Sequence, residues 1–157
     1  MLRAMRPAAL TLAFALLPSP AIAATVTDSG VGSLQLGMSA QQAAEAGWIE
    51  RSPTPCNSGW KAARFQKGLF VGVWNDTVML ISASSRRFVT ERGIRPGDSV
   101  KKLKARYPVS RQSKNIYSGG PIYGVRGSSL YFPAVRGQVE VLELTNGYRP
   151  NGSEYEC

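Results

Sequence analysis

The chain of 157 residues contains no histidine and only two cysteines, Cys56 and Cys157. Without an imidazole, Ser-His-Asp and Cys-His nucleophilic systems have no base, and the usual zinc sites lose a principal ligand. A carboxylate metal site needs a local acidic cluster, whereas Asp76, Asp98, Glu140 and Glu143 are scattered. Asp98 stands where a helix cap is expected. Glu140 and Glu143 share a strand-like run at an odd spacing, which turns them to opposite faces and makes them a poor acid and base pair. Gly30-Val31-Gly32 lacks the preceding strand and following glycine of a phosphate-binding loop. No catalytic, cofactor or metal site is expected, and the chain reads as a non-enzyme. A hydrolase relying on Ser and Lys is the weaker enzymatic alternative.

Residues suited to binding are better represented. Trp60, Trp74, Tyr117, Tyr123 and Tyr131 fall in or beside expected strands and loops, with Arg126 and Arg136 nearby. Trp, Tyr and Arg dominate interface hot spots. In the run at 129–132, Tyr131 alternates with Leu130 and Phe132, so it points away from the core those two fill. Ordinary packing is the competing reading for each of these aromatics. They form the expected partner-binding set.

A second set is cationic. Lys101 with Lys104, and Lys102 with Arg106, are spaced to share helix faces, opposite a stripe of Val100, Leu103 and Tyr107. Arg111 and Lys114 continue the charge into the next segment. The set suits an anionic polymer or lipid headgroup, or else is simply a solvated outer face. A nucleic-acid reader would interleave exposed aromatics with these charges. Positions 101–114 hold only Tyr107, assigned to the core, so no nucleic-acid partner is expected.

Charge and targeting agree with an envelope or extracellular setting. Arg3 and Arg6 precede an apolar run of ten at positions 8–17, Thr11 included, which Pro18 and Pro20 break. Ala21-Ile22-Ala23 then supplies the small-x-small pattern of a cleavage site, so positions 1–23 read as a secretory signal cut before Ala24. Ten helical residues cover about half of a ~30 Å hydrocarbon core, too few for an anchor. No cysteine lies at the cut to carry a lipid, and no later segment is apolar enough to span. The chain is therefore expected to be secreted or periplasmic. In that oxidising compartment Cys56 and Cys157 read as one disulfide, closing a loop worth nominally about 4.7 kcal/mol in the chain-entropy account. The remaining chain carries 17 basic and 10 acidic residues, a net +7, of which +5 lies beyond position 92. Such an excess favours acidic partners or serves solubility alone.

The elements that must position these residues come from a repeat. Leu36-Gly37-Met38-Ser39 and Pro96-Gly97-Asp98-Ser99 stand sixty positions apart, each leading into a short helical pattern stopped by Gly47 or Pro108. Ser39 has Gln42 at the capping-box spacing, and Asp98 or Ser99 caps the second helix, which runs to about Arg106. Strands are expected at 69–74 and 77–82 around an Asn75-Asp76 hairpin turn, and at 122–125, 129–132 and 138–144. Polar composition makes 25–33 a flexible start and 111–120 a loop. The expected class is α+β, with two helix-plus-antiparallel-sheet units at 24–92 and 93–157 whose sheets form one continuous or adjacent surface.

This order resembles the tandem β-lactamase inhibitory proteins, whose units are in turn similar to the SmpA/OmlA (BamE-like) lipoprotein domain. The resemblance rests on the Gly-x-Ser segment, short helix, cysteine-bearing loop and sheet. It departs in having two cysteines where those inhibitors usually carry one disulfide per repeat. It implies a binding style in which aromatic residues on a concave sheet dock onto a loop of a target enzyme. The expected function is a secreted binding protein, inhibitor or adaptor, that engages an extracellular or envelope protein through a sheet face bearing aromatic and Arg residues. The alternative is a basic envelope protein that binds anionic polymer or lipid through positions 101–114.

Overall fold

Gly37 and Gly97 carry their segments into matching sets of backbone hydrogen bonds. In the first, the Gly37 N–H donates to the Val78 carbonyl, the Val78 N–H to Met38 and the Ala40 N–H to Asp76, each at 2.8 Å. In the second, Gly97 donates to Val139 at 2.7 Å, Val139 to Asp98 at 2.8 Å and Val100 to Gly137 at 2.9 Å. Both glycines adopt left-handed φ, 83° and 87°, where a Cβ would be strained. Each segment thus lies across the outgoing strand of a two-residue hairpin. The hairpin turns are Asn75-Asp76 (φ 46° and 59°) and Arg136-Gly137 (φ 50° and 79°). Positive φ at both central residues is the I′ geometry that matches strand twist.

The computed structural model describes residues 24–51, 54–55, 61–64, 68–115 and 118–146. The first part contains β1 (Ala24–Val26), β2 (Gly30–Val31), β3 (Leu34–Gln35) and α1 (Ala40–Glu45). It continues through β4 (Thr54–Pro55), β5 (Lys61–Arg64), β6 (Leu69–Trp74), β7 (Thr77–Ala83) and β8 (Phe88–Thr90). After α2 (Val100–Arg106) come β9 (Val109–Lys114), β10 (Pro121–Val125), β11 (Leu130–Val135), β12 (Gln138–Val139) and β13 (Leu142–Thr145).

These strands make two sheets. The smaller has the order β3-β2-β1-β8, with β1 and β8 parallel. The larger is antiparallel in the order β4-β5-β6-β7-β13-β11-β10-β9, with β12 on β11. Strands from before α2 fill one side of it and strands from after α2 fill the other. They meet where β7 pairs with β13.

The expected α+β class is overturned. The described residues are 46% strand and 12% helical, so the fold is mostly β. The helices are only six and seven residues long. α1 gives way to Gly47 at φ 75°, and α2 stops at Tyr107, whose backbone is already extended before Pro108. Strands also form where polarity predicts none. Positions 24–31 hold β1 and β2 in place of a flexible start, and the expected loop at 111–120 begins as β9. That strand is an edge, bonded only to β10 and exposed from Ser110 to Lys114. An edge strand exposed in this way needs no apolar pattern, and charge on it discourages pairing with other chains.

One face of the large sheet makes the core. Leu69, Val71, Val73, Ile81, Ala83, Leu130, Phe132, Leu142 and Leu144 are buried there. Ala43 of α1, Leu103 of α2 and Val26, Val31 and Leu34 of the small sheet complete the same cluster. Tyr107 packs on Phe132 with ring centroids 5.4 Å apart. Of the stripe expected on α2, Leu103 and Tyr107 are buried and Val100 is half-buried.

Both serines of the repeat are helix caps. Ser39 Oγ accepts from the Gln42 N–H and Gln42 Oε1 accepts from the Ser39 N–H, each at 3.1 Å. Ser99 Oγ accepts from the Lys102 N–H at 3.2 Å. Ser39→Ala and Ser99→Ala should each cost about 1 kcal/mol in urea unfolding, with the larger loss at Ser39, whose bond is reciprocated. Unchanged midpoints in both variants would show that the helices draw their stability from packing alone.

Candidate sheet-face site

Strand alternation sends the residues between the core positions to the opposite face of the large sheet. Across that face, register places Phe70 of β6 opposite Ser82 of β7, and Ser82 opposite Glu143 of β13. Glu143 then faces Tyr131 of β11, which faces Gly124 of β10. Phe70, Ser82 and Tyr131 are half-buried. Gly124 has a steric role, because a Cβ there would lie 3.1 Å from the Tyr131 ring. Trp74, farther along β6 on the same face, is 37% exposed and is the exposed large hydrophobic residue among those described. Leu80, Ile122 and Thr145 are buried on this side.

Glu143 gives the row its electrostatic character. The residue is 8% exposed, and its Oε1 has no hydrogen-bond partner among the described residues. Burial disfavours the charged form and pushes its carboxyl pKa up to about 7. The ionised form is an acceptor with nothing to accept from, an expensive arrangement inside a protein.

The expected partner-binding residues divide between locations. Tyr131 and Trp74 share the face just described. Tyr123 lies on the helix side, opposite Phe132 in register, with Lys104 Nζ 5.3 Å from its ring centroid. Arg126 and Arg136 are exposed in the turns before and after β11, so about 20 Å of strand separates them. Ser128, beside the Arg126 turn, donates to Asp28 Oδ1 at 2.6 Å and ties that turn to the small sheet. Trp60 and Tyr117 lie outside the described residues. So do Cys56 and Cys157, with the disulfide expected between them, and positions 1–23.

Ser82, Gly124, Phe70 and Glu143 of the row are absent from the expected set, and of these Phe70 and Glu143 carry the large or charged side chains. Both were legible through alternation. Phe70 stands between Leu69 and Val71, and Glu143 between Leu142 and Leu144, so neighbours committed to the core send each of them to the far face.

The cationic set occupies the helix side and the sheet edge. Lys101, Lys102, Lys104 and Arg106 are exposed on α2. Lys102 is engaged locally, its Nζ donating to Asp98 Oδ2 at 2.7 Å. Burial works to raise the Asp98 pKa, but the bonds from Lys102 and the Arg95 N–H, with the Lys102 and Arg86 charges, hold it below the usual value. Arg92 donates to the Arg106 carbonyl at 3.0 Å and lies 5.0 Å over the Tyr107 ring. Arg111 is opposite Tyr123 in register and Lys114 opposite Pro121, both exposed on β9. Lys104, Tyr123 and Arg111 therefore come together, whereas Glu143 lies buried on the other face. Among the described residues no three His, Cys, Asp or Glu side chains are grouped to hold a metal. No helix among them is long and apolar enough to cross a membrane.

The raised Glu143 pKa has a direct stability consequence. The folded chain holds this proton more tightly than the unfolded chain, whose ordinary value is 4.5. The contribution is fully present below pH 4.5 and is lost as pH rises through about 7, an order-of-magnitude loss of about 3 kcal/mol. Urea unfolding should therefore show Glu143→Gln relatively more stable than the parent at pH 8.5, with the gap closing at pH 4.5. A gap independent of pH would mean that the carboxylate is solvated in the folded protein. Comparison with models of protein families, with curated proteins and with solved structures finds no match to this chain.

Proposed function

We propose that this chain is an exported, non-enzymatic binding protein that docks another extracellular or periplasmic protein on the outer face of its large sheet, in the manner of an inhibitor or adaptor. One observation carries the reading: Phe70, Tyr131 and Trp74 are partly exposed on the sheet face opposite the helices and the main core cluster. Antiparallel strands hold these side chains at fixed spacing, so little ordering entropy is lost on docking. Export rests on the charged, apolar and small-x-small pattern of positions 1–23. The likeness to tandem β-lactamase inhibitory proteins is consistent with docking through sheet aromatics and supplies no target.

A second reading assigns the other side of the molecule to an anionic polymer or lipid surface. The observation favouring it is that Lys104 and Arg111 flank Tyr123, beside exposed Lys101 and Lys114. Against it, Lys102 is neutralised by Asp98.

Capture of partners from culture medium or envelope extract separates the two. Tyr131→Ala and Trp74→Ala should each weaken retention of the captured protein at least tenfold, the scale of a hot spot of roughly 2 kcal/mol. Joint replacement of Lys101, Lys102 and Lys104 by Gln should leave retention unchanged. Loss in the lysine variant, with affinity falling steeply in salt, would transfer the function to the cationic side. Turnover of a peptide or ester substrate by the purified chain would overturn the non-enzymatic reading.

A further inference from the structure

The large sheet ends on one side at β4, two residues that include Pro55, and on the other at β9, six residues from Val109 to Lys114. The small sheet ends at β3 and β8, of two and three residues. β9 is therefore the long edge among the described strands. It pairs there with β10 alone, and every residue from Ser110 to Lys114 is exposed. An antiparallel strand turns alternate N–H and C=O groups toward each side, so such an edge presents a row of them to a further strand. Its sequence contains no proline to remove a donor.

A bulge decides which strand this edge suits. Arg111 and Lys114 are three positions apart, a spacing that turns side chains to opposite faces of a regular strand. Here the register shifts, with Ser113 opposite Ile122, Arg111 opposite Tyr123 and Lys114 opposite Pro121. Gln112 is the extra residue. A Cβ on Gly124 would meet its Cγ at 2.8 Å, which puts it on the outer face with Ser110, to whose Oγ it donates. Both cations are thereby brought to the helix side, two positions of β10 or about 7 Å apart. Lys104, 5.3 Å from the Tyr123 ring centroid, adds a third positive charge on that side. Neither Arg111 nor Lys114 is in an ion pair among the described residues.

We propose that β9 receives an extended acidic segment of another protein as an added strand, with carboxylates at alternate positions meeting Arg111 and Lys114. Two positions of an extended chain also span about 7 Å, so alternate side chains of the added strand match the two cations. Cross-strand pairs of opposite charge stabilise a sheet, and like charges set opposite each other destabilise it. The charge that keeps cationic chains off this edge, a second copy of β9 included, therefore admits an acidic one. In this mode main-chain hydrogen bonds supply affinity and side chains supply the choice of partner. The contact uses an edge of the sheet and not its outer face, so it goes beyond the docking reading above and stands without it.

Amide NMR on the intact protein tests the proposal. The probe is acetyl-Thr-Glu-Thr-Glu-Thr-Glu-Thr-amide at about 10 mM, well above a Kd of about 1 mM. One control replaces each Glu of the peptide by Gln. A second carries a methyl group on every backbone nitrogen, which keeps the charge and removes the donors. The acidic peptide should shift the β9 amides and slow their hydrogen exchange. It should bind roughly tenfold more tightly than the Gln peptide, the scale of two opposite-charge pairs. Joint Arg111→Gln and Lys114→Gln replacement should remove that preference, and N-methylation should weaken binding at least tenfold. Absence of binding, equal binding of the acidic and Gln peptides, a preference that survives in the double variant, or shifts confined to amides outside β9 would overturn the proposal. Undiminished binding of the N-methylated peptide would overturn it as well, because charge alone would then suffice, as for an anionic polymer or lipid surface.

Discussion

Pairing of β7 with β13 holds the large sheet together. Four register pairs, from Leu142 with Ala83 to Thr145 with Leu80, join the strands preceding α2 to those following it. Ile81, Ala83, Leu142 and Leu144 place fully buried side chains on one face of this seam. A one-residue slip would send that apolar set to the opposite face and bring Ser82 and Glu143 into the core, so the register is strongly specified. The core beneath the sheet and the row above it follow from the same four pairs.

The seam also sorts charge. Its inner side carries the helices and, at the far edge, the cations of α2 and β9. Among the described residues its outer side carries the aromatics Phe70, Trp74 and Tyr131 and the acid Glu143. Two surfaces of different character are thus separated by the thickness of a sheet. Strong positive net charge in a chain with an acidic point at the centre of its aromatic face is unusual economy. A large net charge of one sign disfavours self-association.

Local chemistry was legible in the sequence wherever a few neighbouring residues decide the outcome. The capping serines, the Asn75-Asp76 turn and the outward Tyr131 all depend on spacings of four residues or fewer. The balance of helix and strand was not legible, because nothing local shows that two helix starts stop after six or seven residues while polar stretches pair as strands. β9 is the clearest case: its strand character comes from β10, and its own sequence of Ser, Arg, Gln and Lys reads as loop. The candidate site was half legible for a related reason. Aromatic type pointed to Tyr131 and Trp74 and equally to Tyr123, but face assignment separates Tyr123 from them and admits Phe70 and Glu143. Arg126 and Arg136, both chosen by residue type, stand in turns at opposite ends of β11.

Ser82 and Glu143 face each other across the seam, and sixty-one positions separate them, the same interval that separates Asp76 from Gly137 and Val78 from Val139. Their neighbours cross over in the matching way, Ile81 with Leu144 and Ala83 with Leu142. This is the geometry of a two-fold axis passing through one residue pair. On such an axis each residue meets its own counterpart, so an assembly of two identical chains would oppose serine to serine or carboxylate to carboxylate. A lone buried acid at that point is open only to a single polypeptide whose two sides have different sequences. Covalent continuity thereby gives this molecule what a symmetric dimer of half-sized chains is denied: an odd number of charges at its centre.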